Sequence, residues 1–198
     1  MSADQRTIWK RRVGLMVAVA LVVGVPLTIA LRSGDDGAGG DGGSAPKPAV
    51  EEPALGDTKF LRDLGVELRV PEGWREEEQE GVLSLRSADS RAAIAISAPG
   101  PAAQADRIRE DAITVLRDQY RDVQVIERVD GKELGGLPAT TEVLTARRAE
   151  DDLELRVLVS TAEGDENAYL VEVFASAPGA DRALAEAQAL LDNLKFEG

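Results

Sequence analysis

Apolar and polar residues alternate along most of the chain after residue 65. Val66, Leu68 and Val70 are separated by Glu67 and Arg69, so the apolar side chains of an extended segment would share one face. This period of two predicts a strand here. The same pattern predicts further strands at residues 74–78, 82–86, 92–97, 123–129, 139–147, 153–161 and 168–175.

Two other segments repeat their apolar residues every three or four positions, which predicts amphipathic helices. Residues 102–120 carry Ile108 and Ala112 at this spacing, and residues 181–194 carry Leu191. The order of four strands, a helix, four strands and a second helix predicts an α+β domain. We expect an antiparallel sheet of about seven to eight strands with two helices packed on it.

A continuous apolar run lies near the N-terminus. It begins at Val13, ends at Leu31 and contains no charged residue. A helix over residues 13–31 would be about 28 Å long, close to the ~30 Å hydrocarbon core of a bilayer. The apolar core of a cleaved secretory signal is shorter, about 7–15 residues. The run therefore predicts one transmembrane helix that anchors the protein in the membrane.

Cationic residues near the apolar run predict its orientation. Those before it are Arg6, Lys10, Arg11 and Arg12, and only Arg32 follows it closely. Because cationic flanks stay on the cytoplasmic side, we expect residues 1–12 to form a cytoplasmic tail. The protein would then be a single-pass cell-membrane protein whose C-terminal domain is extracytoplasmic.

Residues 32–55 consist mainly of Gly, Asp, Ala, Pro and Glu. Such a segment buries too little apolar surface to offset its ordering entropy, so it predicts a flexible linker. The remaining residues, 56–198, have the length of one domain with a single core. They carry 17 Lys and Arg against 30 Asp and Glu, a net charge of 17 − 30 = −13. This acidic balance makes nucleic acid an unfavourable partner.

The composition excludes several chemistries. The chain has no cysteine and no histidine, so it contains no disulfide, no thiol nucleophile and no Ser-His triad. We therefore predict that the protein is not an enzyme and uses no cofactor. An all-oxygen metal site would have to lie in the acidic loops at residues 150–152 and 163–167, but neither has the ligand spacing of an EF-hand. We predict no metal site.

One predicted strand and two acidic loops supply candidates for a protein-binding surface. Trp74 stands beside an acidic run, and the two acidic loops contribute exposed carboxylates. The candidate contact residues are Trp74, Asp151, Asp152, Asp165 and Glu166.

Three short motifs resemble a known group of proteins. They are the strand and turn GVELRVPEGW, the step GGLPATTEVL and the closing helix ALAEAQALLDNLKF. Over about residues 60–196 the chain resembles small extracytoplasmic domains of the PsbP-like, DcrB and LpqN type. The resemblance implies a sheet flanked by helices, on an exported protein held at a membrane. It provides no catalytic residues that could be transferred to this chain.

Two functions are consistent with these features. The first is a non-catalytic, membrane-anchored module that interacts with or assembles another protein of the cell envelope. The alternative is a small-molecule or lipid-binding module with a pocket between the sheet and the helices.

Overall fold

The computed structural model describes residues 54–176 and 180–197. Its strands are β1 (Leu55–Leu61), β2 (Val66–Pro71), β3 (Arg75–Gln79), β4 (Val82–Arg86), β5 (Ala92–Pro101), β6 (Arg121–Leu134), β7 (Leu137–Arg147), β8 (Glu154–Glu163), β9 (Asn167–Ser176) and β10 (Lys195–Phe196). A 3₁₀ helix, Ala102–Gln104, leads into α1 (Ala105–Gln119), and α2 (Ala180–Asp192) follows β9. The predicted α+β class with two helices is confirmed.

The strands form two antiparallel sheets, so the prediction of a single sheet is wrong. Seven strands form one sheet in the order β3-β4-β5-β9-β8-β7-β6, and β2 lies between β1 and β10 in a separate sheet. The small sheet was not predicted because its outer strands lack a clear alternation of apolar and polar residues. β1 reads LGDTKFL without strict alternation, and β10 has only two residues.

The core lies on both faces of the seven-stranded sheet. On one face, Ile108 and Leu116 of α1 pack against strand residues such as Leu170. On the other face, α2 and the three-stranded sheet pack on the strands, with Leu68 and Leu190 among the buried residues. The domain therefore has three layers, and the central strand β9 is buried along nearly its whole length.

The hairpin of β6 and β7 differs from the prediction. Asp130 and Gly131 have the composition of a turn, but β6 continues to Leu134 and the chain turns at Gly135 and Gly136. Gly131 instead adopts a φ of 73° where the register shifts between Asp130 and Lys132. A glycine at positive φ accommodates such a bulge, and the strand continues beyond it.

The C-terminal strand fastens this hairpin to the small sheet. The Phe196 ring stacks on Tyr169 with ring centroids 4.1 Å apart, and the Phe196 N–H donates to the Gly135 carbonyl at 3.1 Å. Gly135 has a φ of 62°, and a Cβ atom there would lie 2.5 Å from the Phe196 ring. Only glycine satisfies both the backbone conformation and this close approach.

In the described part of the chain, no helix is long and apolar enough to cross a membrane. The predicted tail at residues 1–12 and the predicted transmembrane helix at residues 13–31 lie outside the described residues, as does most of the predicted linker. β1 begins at Leu55, the last residue of that linker.

Candidate functional site

The two edges of the seven-stranded sheet differ in length and chemistry. β3 has five residues, all exposed, and three of them are Glu76, Glu77 and Glu78. Glu76 also forms a salt bridge with Lys59 of β1. Short, charged edge strands disfavour pairing with another chain. The β3 edge is therefore protected against strand addition.

β6 forms the opposite edge and is much longer. It has 14 residues, most of them exposed, and in the sheet it pairs only with β7. Within the described residues, the exposed large apolar side chains are Val125 (40%), Ile126 (49%) and Phe60 (44%). Two of these three are adjacent on β6, so this edge combines unpaired backbone groups with apolar side chains.

Three register shifts interrupt the pairing of β6 with β7. The longest regular stretch between them runs from Glu127 to Asp130. Within it, Arg128 Nε donates to Asp130 Oδ1 at 2.9 Å, and Arg128 Nη1 lies 3.7 Å from Glu142 Oε1. The bulges bend the edge, but this stretch keeps its outward backbone groups in regular strand geometry.

Trp74 lies in the turn between β2 and β3 and is only half-exposed. Its ring packs at the margin of the core, and its Nε1–H donates to Glu186 Oε2 of α2 at 3.2 Å. Such a contact fixes α2 against the start of β3. The structure therefore gives Trp74 a packing role, and its part in a contact surface stays a prediction.

Asp151 and Asp152 lie in the turn between β7 and β8. Arg148 donates to both carboxylate oxygens of Asp151, at 2.8 and 2.5 Å. This hydrogen bonding holds the pKa of Asp151 below its ordinary value. Asp152 adopts a φ of 58° and accepts a hydrogen bond from Arg147 at 3.2 Å. Both carboxylates thus have local turn partners.

Asp165 and Glu166 lie in the next turn, between β8 and β9. The Glu166 carbonyl accepts a hydrogen bond from the Ala102 N–H at 3.0 Å, which ties this turn to the start of the 3₁₀ helix. Because β8 connects the two acidic turns, they stand at opposite ends of the sheet. The five predicted contact residues are therefore not brought together on one surface.

Glu172 was not singled out from the sequence and is the most unusual polar residue of the core. It is 1% exposed on the central strand β9, and no hydrogen-bond partner among the described residues reaches its Oε1 atom. Burial raises its pKa from 4.5 to about 7. The sequence feature that could have identified Glu172 is a single acidic residue within the mostly apolar segment NAYLVEVFAS.

Tyr120, at the end of α1, lies close enough to Glu172 to be affected by its charge. Burial, with a smaller effect of the Glu172 carboxylate, raises the pKa of Tyr120 to about 12. The Tyr120 ring also stacks near Phe174, with centroids 6.2 Å apart. Glu172 and Tyr120 therefore share the layer between α1 and the sheet.

Arg109 is also a buried charged residue, but unlike Glu172 it has hydrogen-bond partners for its side-chain nitrogens. Its Nη1 donates to Thr161 Oγ1 at 3.0 Å, its Nε to Glu142 Oε1 at 3.3 Å, and its Nη2 to Asp106 Oδ1 at 2.5 Å. The last bond lowers the pKa of Asp106. These contacts join α1 to β7 and β8.

Arg109 and Glu172 are each 1% exposed. Across residues 54–176 and 180–197, no three or more acidic side chains are placed to hold a metal ion. The groups with unusual environments are buried, whereas the exposed features are sheet edges. The geometry therefore offers surfaces for binding.

Comparison with known proteins identifies the fold. No protein-family model matches the chain, and no curated protein matches it in sequence. The solution structure of cyanobacterial PsbP (CyanoP) from Synechocystis is similar, with a TM-score of 0.53 and 14% identity over 80% of this chain and 98% of that one. The domain has a PsbP-like fold. The resemblance based on the three sequence motifs is confirmed at the level of fold.

Two further solved structures are similar to this chain to differing extents. A crystal structure from Bacteroides thetaiotaomicron matches with a TM-score of 0.50 and 15% identity, over 72% of this chain and 49% of that chain. LpqN of Mycobacterium tuberculosis, described as involved in cell envelope biogenesis, matches with a TM-score of 0.47 and 12% identity, over 75% of this chain and 95% of LpqN. At 15% and 14% identity, the Bacteroides structure and CyanoP establish the fold alone.

Proposed function

We propose that this chain is a membrane-anchored, non-catalytic module that docks another protein of the cell envelope through the edge strand β6. The observation that carries the proposal is the unpaired outer side of this long strand, with Val125 and Ile126 exposed on it. The predicted helix at residues 13–31 would hold the module at the membrane, and the predicted linker would let it reach its partner.

Strand addition is the docking mode that this edge favours. An extended segment of the partner would hydrogen-bond to the outward backbone groups of the regular stretch from Glu127 to Asp130. Val125 and Ile126 would supply the apolar contacts beside it. Backbone pairing gives affinity in this mode, and the side chains next to the edge give specificity.

The net charge of the domain indicates which kind of partner segment it would attract. With 17 basic and 30 acidic residues between positions 56 and 198, the domain carries a net charge of 17 − 30 = −13. A field of this sign accelerates encounter with a positively charged surface and opposes like-charged partners. The partner segment would therefore combine apolar side chains with a net positive charge.

Site-specific photo-cross-linking tests this docking surface. A photoreactive residue replaces Ile126 in the full-length chain, expressed in its own host, and the same residue replaces Glu77 on the charged edge β3 as a matched control. We expect a discrete adduct with a second protein from position 126 and none from position 77. Adding Val125→Asp to the position 126 probe should abolish the adduct, because it places a charge in the apolar contact.

Two results would contradict the proposal. One is an adduct of equal yield from both edges, because contact would then not distinguish β6 from β3. The other is an adduct from position 126 that survives Val125→Asp, because the adjacent apolar side chain would then contribute nothing to docking.

A further inference from the structure

The two halves of α1 are attached to the sheet by different chemistry. The N-terminal half is held by Arg109, which bonds to Thr161 and Glu142 on the strands. The C-terminal half packs through Ile113, Leu116 and other apolar side chains. The buried side-chain atoms without a hydrogen-bond partner in the described residues are Oε1 of Gln119, in this half, and Oε1 of Glu172.

Glu172 faces α1 from the centre of the sheet. Its neighbours across the sheet are Ala95 of β5 and Val159 of β8. The side chains that these two strands direct to the same face are uncharged: Ala93, Ala95 and Ser97 from β5, and Val157, Val159 and Thr161 from β8. An ionised carboxylate here has no cation beside it on either adjacent strand.

Titratable and charged groups do face this layer from the surrounding elements. They are Arg109 from α1, Tyr120 directly after it, Arg86 from β4, Glu142 from β7, Arg128 from β6, and Arg148 and Glu150 from the turn after β7, whose charges act on Tyr120. Arg109 and Arg128 both lie near Glu142, and Tyr120 is neutral below its raised pKa. None of these groups reaches Glu172 Oε1 with a hydrogen bond. The environment therefore disfavours the charged form of Glu172.

We propose that Glu172 makes the C-terminal half of α1 a pH-sensitive switch. The protonated side chain keeps this half seated on the sheet, and loss of its proton to water favours release of the half, which lets the carboxylate hydrate. The opening is local because Arg109 holds the N-terminal half in place. Local opening of one segment costs less free energy than unfolding of the whole domain.

The switch lies next to the docking edge. α1 ends at Gln119, Tyr120 follows, and β6 begins at Arg121. Release of the last turns of α1 would free the start of β6 and the segment that carries Val125 and Ile126. Control of docking by pH rests on the proposed function of β6, whereas the release of α1 is a property of the chain alone.

Hydrogen exchange measured by mass spectrometry tests the switch on the full-length protein in mild detergent. We compare peptides over residues 113–120 with peptides over residues 104–112 at pH 5 and pH 8, after correction for the intrinsic exchange rate. With pKa values of 4.5 for the open state and about 7 for the closed state, linkage predicts about 70-fold more opening of 113–120 at pH 8. Residues 104–112 should change little.

Uncharged variants identify Glu172 as the cause. Glu172→Gln and Glu172→Leu should remove the pH effect on residues 113–120, and Glu110→Gln, at an exposed position of the same helix, should retain it. The proposal is overturned if wild type and Glu172→Leu open equally at pH 8, or if all peptides open together. No partner is present in this measurement, so its failure would not bear on docking at β6, and failure of docking would leave it standing.

Discussion

Replacing Glu172 by leucine is expected to raise the free energy of unfolding at pH 8 by about 3 kcal/mol. Burial raises the pKa of Glu172 from 4.5 to about 7, and each unit of such a shift corresponds to about 1.4 kcal/mol. Between pH 4.5 and about 7, the native state therefore keeps a proton on Glu172 that the unfolded chain has lost. The stability that this proton gives the native state is complete below pH 4.5 and is lost as the pH rises through 7. Wild type should lose stability over this window relative to the variant.

Urea unfolding of both full-length proteins, followed by circular dichroism at pH 5 and pH 8, measures this difference. Glu110→Leu makes the same chemical change at an exposed position of α1 and should alter stability by no more than about 0.5 kcal/mol. Groups other than Glu172 titrate alike in wild type and variant and cancel in the comparison. Parallel pH profiles for wild type and Glu172→Leu would refute the assignment of a buried, unpaired carboxylate.

Replacing Arg109 by alanine should destabilise the domain by about 3–4 kcal/mol. Arg109 is 1% exposed and bonds to three acceptors, so its loss leaves Thr161 and Glu142 without their buried donor and opens a cavity under α1. Breaking a buried ion pair from one side is among the more costly single substitutions.

The same helix supplies the matched control. Arg107 lies on the exposed side of α1, where its Nε is 3.5 Å from Asp111 Oδ2 in an i,i+4 pair. Such surface pairs contribute only a few tenths of a kcal/mol, so Arg107→Ala should shift the urea midpoint very little. Equal midpoints for Arg107→Ala and Arg109→Ala would mean that the Arg109 network contributes no more than a surface pair.

Periodicity predicted those parts of the fold in which one residue in two, or one in three to four, is buried. β2 was predicted because apolar and polar residues alternate from Val66 to Val70. Both helices were predicted because each has an apolar face. These elements are specified locally because each lies between the core and solvent or a second layer.

Elements specified by tertiary contacts were missed or misplaced. β1 forms because β2 offers it a partner, since its own residues are mostly exposed. The Asp130-Gly131 step has the composition of a turn, but the long pairing with β7 converts it into a bulge. Local propensity has less influence than pairing at such positions.

The candidate site shows the same limit. Trp74 and the acidic turns stood out by residue type, yet the structure gives them local packing and turn partners. β6 was recognised as a strand, but its place at the sheet edge depends on the strand order, which the sequence pattern does not contain. The exposure of Val125 and Ile126 follows from that order and was therefore not predicted.

Native mass spectrometry of the full-length protein, gently extracted from its own membranes, tests the central claim most directly. We expect a complex whose extra mass is that of a second protein, present in wild type and in Glu77→Gln and absent in Ile126→Asp. A retained small molecule without a second protein would contradict the docking function and favour a ligand-binding module.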